Sequence, residues 1–263
     1  MYDDLNLYID GEWRAASDKG TKPVTDPATE DTLATIAAAT EADIDAALKA
    51  AERGFDVWRK TGTWERAAII RKVADLIRDR IDQIAVAMSL ETGKPLAEAK
   101  GETGAAADQF EWYSEETKRI YGQIIGSRTP DSRMAVIMQP VGVVAAFSAW
   151  NFPALLPARK IAAALGAGCS IIIKPAGETP ASCAALIQAC HDAGVPKGVV
   201  NFVTGNSGAI ASQLIRSPIV RKVTVTGSVP VGKQILSLAA EGVKKVSMEL
   251  GGHGPVVIFE DFD

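Results

Sequence analysis

Apolar residues recur every three or four positions between residues 40 and 122, which is the period of an amphipathic helix. The first such stripe consists of Ile44, Ala47, Leu48, Ala51, Phe55 and Trp58. Thr40 and Asp43 stand before it in the spacing of a capping box. A second stripe ends at the sequence ETGKP (91–95), where glycine and proline break a helix, and a third runs to about residue 120. We therefore predict three helices in this region.

Short apolar stretches precede the helices. The sequences LYIDGEW (7–13) and TLATIAAAT (32–40) are typical of short strands. Between them, SDKGTKPVTDPATED (17–31) is rich in residues that favour turns, so we predict an irregular connection there.

After residue 122 the pattern changes to alternation of apolar strands with helices. MAVIMQPVGVV (134–144) is predicted to be extended, with Pro140 at an edge or kink, because proline cannot donate to a central ladder. From Val141 onward, five strands that are nearly all apolar are separated by four helical segments. Such strands are buried on both faces, which favours an α/β fold with an open parallel sheet, flanking helices and right-handed crossovers.

Composition narrows the classes of partner. The chain has 263 residues, 47% of them hydrophobic, and a net charge of −4 with no basic block, so nucleic acid is not an expected partner. Its acidic start does not resemble a secretory signal, and the longest apolar stretch, residues 141–157, is broken by polar residues and proline. We expect a cytoplasmic protein without a membrane partner. Three cysteines and two histidines form no paired metal-binding pattern, so no metal is expected.

Polar residues collect where the predicted strands end, and open parallel sheets bind ligands at that edge. The sequence TGSVPVG (226–232) opens a helix with glycine and serine, where free N–H groups can bind an anion, although the turn needs glycine for backbone reasons anyway. TGNSG (204–208) repeats this arrangement one unit earlier. Lys174 ends a buried strand, and its ammonium either bonds an acceptor such as a ribose hydroxyl or extends to solvent.

Asn151 and Glu249 are the candidate catalytic groups. Asn151 lies in an apolar stretch where a buried amide needs partners, so it either bonds the local backbone or stabilises a developing oxyanion. Glu249 ends the last predicted strand, and it is either a capping or salt-bridged carboxylate or a general base.

Four sequences carry a family resemblance: WNFP (150–153), KPAGETP (174–180), VTGS (225–228) and MELGG (248–252). Their order and spacing resemble those of the NAD(P)-dependent aldehyde dehydrogenase superfamily, and the resemblance covers the whole chain. LETGKPLAEAKGE (90–102) and PARK (157–160) are most similar to the succinate-semialdehyde dehydrogenase branch.

The resemblance implies a Rossmann-like coenzyme domain with three parts. Residues 1–122 would be its N-terminal helical part, 123–140 part of a bridging β-hairpin used in oligomerisation, and 141–263 the dinucleotide-binding part. It also implies a homo-oligomer that binds NADP or NAD and an aldehyde. In the implied mechanism a cysteine thiolate attacks the aldehyde, and the resulting thiohemiacetal passes a hydride to the nicotinamide. The implied product is an acid, with succinate semialdehyde oxidised to succinate.

The resemblance also assigns roles to single residues. Asn151 would hold the oxyanion, Glu249 would activate the hydrolytic water, and Arg159 would pair with the distal carboxylate of the substrate. The alternative for Arg159 is a helix cap or a solvent-facing side chain. The implied cofactor-binding residues are Trp150, Asn151, Lys174, Pro175, Ala176, Gly177, Gly227, Ser228 and Leu250.

Two features relative to the family pattern shape the expected function. Gly177 replaces a glutamate that bonds the adenosine ribose in many NAD-specific members, which makes NADP acceptable. The nucleophilic cysteine of the family lies downstream of the ELGG glutamate, and Cys169, Cys183 and Cys190 are predicted to be packed in the core. We therefore expect a coenzyme-binding part that is inactive alone. The alternatives are a truncated dinucleotide-binding module without catalysis and a structural remnant that binds nothing.

Overall fold

The computed structural model, which describes residues 3–262, divides the chain into eight helices and eleven strands over those residues. It begins with four strands: β1 (Leu7–Ile9), β2 (Glu12–Arg14), β3 (Thr21–Thr25) and β4 (Thr32–Ala37). Four helices follow: α1 (Glu41–Trp58), α2 (Thr63–Asp79), α3 (Ile81–Thr92) and α4 (Leu96–Thr117). A hairpin of β5 (Gln123–Ile125) and β6 (Met134–Val136) comes next.

The second half alternates strands and helices as predicted. Its elements are β7 (Val143–Phe147), α5 (Leu155–Gly166), β8 (Ile171–Lys174), α6 (Pro180–Ala193), β9 (Val200–Phe202), α7 (Ser207–Arg216), β10 (Val220–Gly227), α8 (Val229–Glu241) and β11 (Lys245–Leu250). The stretch predicted to be extended around Pro140 is regular strand only in β6 and at the start of β7.

Local signals placed the ends of two helices correctly. Thr40 and Asp43 form the predicted capping box at α1, with the hydroxyl and the carboxylate each accepting from the other residue's backbone N–H. Gly93 ends α3 in the left-handed conformation, with φ of 72°. Both features depend on residues close in the chain, which is why the sequence shows them.

Two local predictions were wrong. The segment predicted as an irregular connection contains β3, which pairs antiparallel with β4 and buries Val24 beneath it. The second predicted helix is two helices, because the backbone leaves helical geometry at Arg80, with ψ of 13°. Ile77 and Ile84 are buried in the same core on either side of that break, so the apolar periodicity continues across it and does not reveal the break.

The central sheet has seven strands in the order β11-β10-β7-β8-β9-β1-β2. The five strands from β7 to β11 are parallel, as predicted. β1 and β2 extend the same sheet antiparallel beyond β9, an addition that the strand pattern did not predict. β1 pairs with the edge of β9 that would otherwise expose its backbone groups, and β2 pairs with β1.

The order of the parallel strands contains one reversal. The chain runs from β7 through β8 to β9, and then β10 returns to pair with the other side of β7. The connections after β7 and after β10 therefore leave adjacent strands in opposite directions. In open α/β sheets such a switch point opens a crevice at the carboxyl ends of the strands.

Alternate residues of β7 enter two cores. Val144 and Ala146 pack with residues of α2 to α6 on one face of the sheet. Val143, Ala145 and Phe147 pack with residues of α1, α7 and α8 on the other. Burial on both faces explains the continuous apolar character of this strand. No helix within residues 3–262 is long and apolar enough to cross a membrane.

Candidate functional site

A cleft of about 770 Å³ lies at the carboxyl ends of β7, β10 and β11. Its position is the switch point created by the return of β10 to β7. The predicted site residues that line it are Trp150, Asn151, Arg159, Ala176, Gly227, Ser228, Glu249 and Leu250. The other predicted residues are not part of the lining: Lys174 ends β8, the next strand along, and Pro175 and Gly177 follow it.

Glu249 is held through both carboxylate oxygens. The Arg159 guanidinium donates to Oε1 at 2.9 Å, and the Thr226 hydroxyl donates to Oε2 at 2.9 Å. Thr226 and Glu249 are direct neighbours in the register of β10 and β11. Both members of the ion pair are about half exposed. The predicted general base and the predicted substrate-binding arginine thus pair with each other at the cleft.

Asn151 is exposed at the cleft, so the prediction of a buried amide was wrong. The apolar stretch around it does not continue as a core strand, because the chain turns outward at residues 150–152 and becomes buried again from Pro153. The backbone carbonyl of Asn151 accepts a hydrogen bond from the Lys94 ammonium at 3.0 Å. The turn is therefore attached to a residue that the sequence analysis did not assign.

Lys174 is buried and does not extend to solvent. Its ammonium donates to the carbonyl of Pro175 at 2.8 Å. The acceptor that a buried ammonium requires is thus supplied by the neighbouring residue. Burial lowers the pKa of Lys174, and the nearby Glu178 carboxylate opposes that shift. An ammonium with a single carbonyl partner retains donors for a hydroxyl or phosphate oxygen.

The start of α8 can receive an anionic group. Ser228 is its N-cap residue, yet its side chain makes no cap hydrogen bond. Gly227 and Ser228 line the cleft, so the positive end of the helix lies beside it. Gly232, one turn into α8, lies against Leu250, and a Cβ there would come 2.7 Å from a Leu250 methyl group. Glycine at this position therefore allows the helix and β11 to approach closely.

The similar turn at Gly205 is closed to a ligand by contacts within the chain. The Asn206 side chain caps α7 by accepting from the N–H of Ala209 at 3.1 Å. A Cβ at Gly205 would lie 3.0 Å from the backbone nitrogen of Ala39. This glycine thus serves packing, and its turn does not line the cleft.

Two polar groups of the cleft were missed by the sequence analysis. The Ser148 hydroxyl is buried at the end of β7, lines the cleft, and has no hydrogen-bond partner among the described residues. A buried hydroxyl without a partner is costly unless a ligand or water satisfies it. The available signal was a lone serine after an apolar strand. Thr226, the partner of Glu249, carried no signal because its role depends on strand pairing.

A second cavity, of about 780 Å³, lies between α5 and the outer strands β10 and β11. It shares Arg159 and Glu249 with the cleft, and Lys160 and Cys169 also line it. Burial lowers the pKa of Lys160 to about 8, with Glu249 acting in the opposite direction. A positive charge therefore lies beside the carboxylate on the side away from the cleft.

All three cysteines are buried, and none lines the cleft. Burial raises the pKa of Cys169, Cys183 and Cys190, which opposes formation of a thiolate. Among residues 3–262, no cluster of three or more histidine, cysteine or acidic side chains is placed to hold a metal ion. The groups gathered at the cleft are thus an amide, hydroxyls, a guanidinium and a carboxylate.

Comparison with known proteins gives this arrangement a family. The chain is 44% identical over 256 residues to a glutarate-semialdehyde dehydrogenase of Pseudomonas putida, covering 97% of this chain and 53% of that protein. It is 45% identical over 265 residues to the NADP(+) succinate-semialdehyde dehydrogenase GabD of Escherichia coli, covering 99% of this chain and 55% of that protein. The chain spans about half the length of the curated relatives it matches.

The fold agrees with these relationships. A crystal structure of succinate-semialdehyde dehydrogenase from Burkholderia pseudomallei superposes with a TM-score of 0.94 at 43% identity, covering 98% of this chain and 54% of that one. Residues 13–263 match the family described as the aldehyde dehydrogenase family. With the cleft at its expected edge of the sheet, this match over nearly the whole chain shows that the protein belongs to the aldehyde dehydrogenase family.

Proposed function

We propose that this chain forms the dinucleotide site of an NAD(P)-dependent aldehyde dehydrogenase and supplies two groups that act on the reacting carbonyl. The observation that carries the proposal is the cleft at the β7/β10 switch point. There the uncapped start of α8, the unpartnered Ser148 hydroxyl and the side chains of Asn151 and Glu249 meet.

The residues present fit a dinucleotide. The uncapped helix start suits a pyrophosphate, and Trp150, Ala176 and Leu250 supply apolar surface at the cleft. Lys174 and Pro175, with Gly177, would hold the adenosine ribose at the end of β8. The bound nicotinamide supplies the hydride acceptor. The residues of the cleft would bind and orient it.

NADP is the cofactor that the ribose region favours. A Cβ at Gly177 would have no heavy atom within 4 Å, so this position offers open space and no carboxylate. A 2′-phosphate would meet no carboxylate from residue 177, and the ammonium of Lys174 would attract it. The related Escherichia coli protein bears NADP(+) in its name. NAD remains compatible with the same residues.

Asn151 and Glu249 would act at the aldehyde carbon. The exposed amide of Asn151 can donate to an oxygen that gains negative charge, which stabilises an oxyanion. Glu249 can take a proton from the water that releases the acid. Its carboxylate is bonded to Arg159 and Thr226 through one contact on each oxygen and is about half exposed, so its remaining lone pairs can accept from a water.

We propose a semialdehyde that carries a distal carboxylate, namely succinate semialdehyde, as the substrate. Arg159 lines the cleft with about half of its side chain exposed, and its guanidinium fork matches a carboxylate. The names of both relatives specify semialdehydes of dicarboxylic acids. In a polypeptide that joins these residues to a nucleophilic cysteine, Arg159→Ala should weaken binding of succinate semialdehyde far more than binding of butyraldehyde. Equal losses for both aldehydes would exclude the pairing.

The 263-residue chain alone is proposed to bind the dinucleotide without oxidising aldehydes, because its cysteines are buried and their pKa values are raised. Calorimetric titration with NADP+ and NAD+ tests the site, and we expect one binding event per chain, tighter for NADP+. Absence of heat with both would contradict the dinucleotide site and favour a structural remnant. Aldehyde-dependent formation of NADPH by the pure chain would contradict the expected inactivity.

The hairpin of β5 and β6 is proposed to join chains into a homo-oligomer. Its side chains are exposed, with Ile124 of β5 86% exposed, and Ile137, which directly follows β6, is 80% exposed. A two-stranded sheet with apolar side chains and open edges tends to pair with further strands. Sedimentation of the parent chain and of Ile124→Lys would test this. We expect the parent chain to associate and the variant to associate less, and a parent chain that sediments as a monomer would contradict the proposal.

A further inference from the structure

The segment ETGKPLAEAKGE (91–102) carries a buried glutamate at each end, and the proposed function uses neither. Glu91 is 3% exposed and Glu102 is 6% exposed. Burial of a carboxylate is costly unless hydrogen bonds or opposite charges compensate it. The partners of these two side chains therefore indicate what the segment does.

Glu102, on α4, binds the start of α5. Its Oε1 accepts from the backbone N–H of Ala154 at 2.9 Å and of Leu155 at 3.1 Å. The N-cap residue of α5 is Ala154, which has no side chain able to cap the helix. Glu102 thus supplies from a distant helix the acceptor that the first turn of α5 lacks. A negative charge at this position also suits the positive end of the helix.

Lys94 connects Glu102 to the turn that presents Asn151. Its ammonium lies 2.5 Å from Oε2 of Glu102 and donates to the backbone carbonyl of Asn151 at 3.0 Å. The same ammonium lies 4.4 Å from the ring centroid of Phe152. Little of either side chain in this ion pair is exposed, since that of Lys94 is 14% exposed and that of Glu102 is 2% exposed.

Glu91 makes an equivalent contact one strand along. It accepts from the backbone N–H of Ala181 at 2.9 Å and of Ser182 at 3.0 Å, at the start of α6. The N-cap residue of that helix, Thr179, makes no side-chain cap bond. The two glutamates therefore bind the starts of α5 and α6, and only the α5 contact reaches the Asn151 turn. Glu91 is accordingly a matched control for Glu102.

We propose that Lys94 and Glu102 are positioning residues that fix the Asn151 turn against the cleft. The proposal rests on the proposed function for the importance of Asn151, but the geometry it claims is independent of any cofactor. Rotation of the turn requires breaking the carbonyl contact with Lys94 and exposing the N–H groups of Ala154 and Leu155. Each buried group left without a partner is unfavourable, so the pair restricts the turn to one orientation.

The test uses the 263-residue chain labelled with ¹⁵N-asparagine. The chain contains four asparagines, Asn6, Asn151, Asn201 and Asn206, and Asn151→Asp identifies the signals of Asn151. Glu102→Gln keeps the shape of the side chain but removes the charge that holds Lys94. We expect the backbone and side-chain signals of Asn151 to shift by more than their linewidth or to broaden, while the other three asparagines stay in place.

Glu91→Gln is the control. It should lower the free energy of unfolding in urea about as much as Glu102→Gln does, but leave the Asn151 signals unchanged. Lys94→Met removes only the link, so it should move the Asn151 signals even if Glu102→Gln does not fold. Unchanged Asn151 signals in Lys94→Met, or equal movement in Glu91→Gln, would overturn the proposal. Absence of NADP+ binding would contradict the proposed function while leaving this measurement intact.

Discussion

Arg159 on α5 and Glu249 on β11 form an ion pair with 2.9 Å between Nη1 and Oε1, although they lie 90 positions apart in the chain. One was predicted to bind the carboxylate of a substrate and the other to activate water. Their pairing means that a carboxylate ligand competes with Glu249 for the guanidinium. Binding of such a ligand would release Glu249 from one of its two donors.

The first prediction concerns that competition. Glu249→Gln should raise the affinity of the chain for succinate semialdehyde, because the neutral amide competes less well for Arg159. An exposed ion pair contributes up to about 1 kcal/mol, so the gain should be up to about fivefold. NMR titration measures it. The gain should be absent for butyraldehyde and should disappear when Arg159→Met is added, and a gain that survives either control would contradict the competition.

The second prediction concerns cofactor preference. Gly177→Glu introduces a carboxylate into open space at a position whose backbone accepts a side chain. Repulsion of a 2′-phosphate should lower NADP+ affinity about tenfold or more, with NAD+ affinity maintained. Calorimetry gives both constants. Gly177→Gln adds the same bulk without charge and should retain NADP+ binding, so an equal loss in that variant would attribute the effect to size.

The third prediction concerns Lys160, whose pKa is lowered to about 8 by burial, against the attraction of Glu249. In the unfolded chain the pKa is near 10.5, so holding the charge in the folded state costs stability at pH 7. That cost is complete below pH 8 and disappears as the pH rises from 8 towards 10.5. Lys160→Met should therefore increase the free energy of unfolding at pH 7 by about 1–3 kcal/mol.

Urea unfolding of Lys160→Met and the parent chain at pH 7 and pH 10 checks this. The advantage of the variant should shrink markedly at pH 10. Lys49→Met removes an exposed lysine and should give a difference that does not vary with pH. A constant advantage for Lys160→Met at both pH values would show that methionine stabilises by packing alone.

The fourth prediction concerns the cysteines. Because Cys169, Cys183 and Cys190 are buried and burial raises their pKa values, the native chain should react with a disulfide reagent at pH 8 far more slowly than the unfolded chain. In urea all three thiols should react. A rapidly labelled thiol in the native chain would identify a nucleophile that the buried positions do not provide.

Much of the second half could be predicted because its signals are local. Each apolar run from β7 to β11 is bounded by turn residues, and the intervening helices have their own period. Their position at the predicted strand ends placed Asn151, Ser228 and Glu249 at one edge of the sheet, and the cleft brings these three together. The break at Arg80 escaped prediction because Ile77 and Ile84 face one core from two different helices.

The exposure of Asn151 also could not be predicted from its apolar neighbours. Trp150 and Phe152 are themselves exposed, so hydrophobic residues in this turn do not indicate burial. The roles of Lys94 and Glu102 depend on contacts across more than fifty positions, and no spacing rule reveals such contacts.

Periodicity and turn chemistry act between near neighbours along the chain, so the order of residues alone specified the parallel strands, their helices, the capping box at Thr40 and the polar ends of the strands. Packing of distant segments settled the rest: the return of β10 beside β7, the antiparallel extension by β1 and β2, and the pairing of Arg159 with Glu249. These features depend on which surfaces bury each other, a property of the folded chain as a whole.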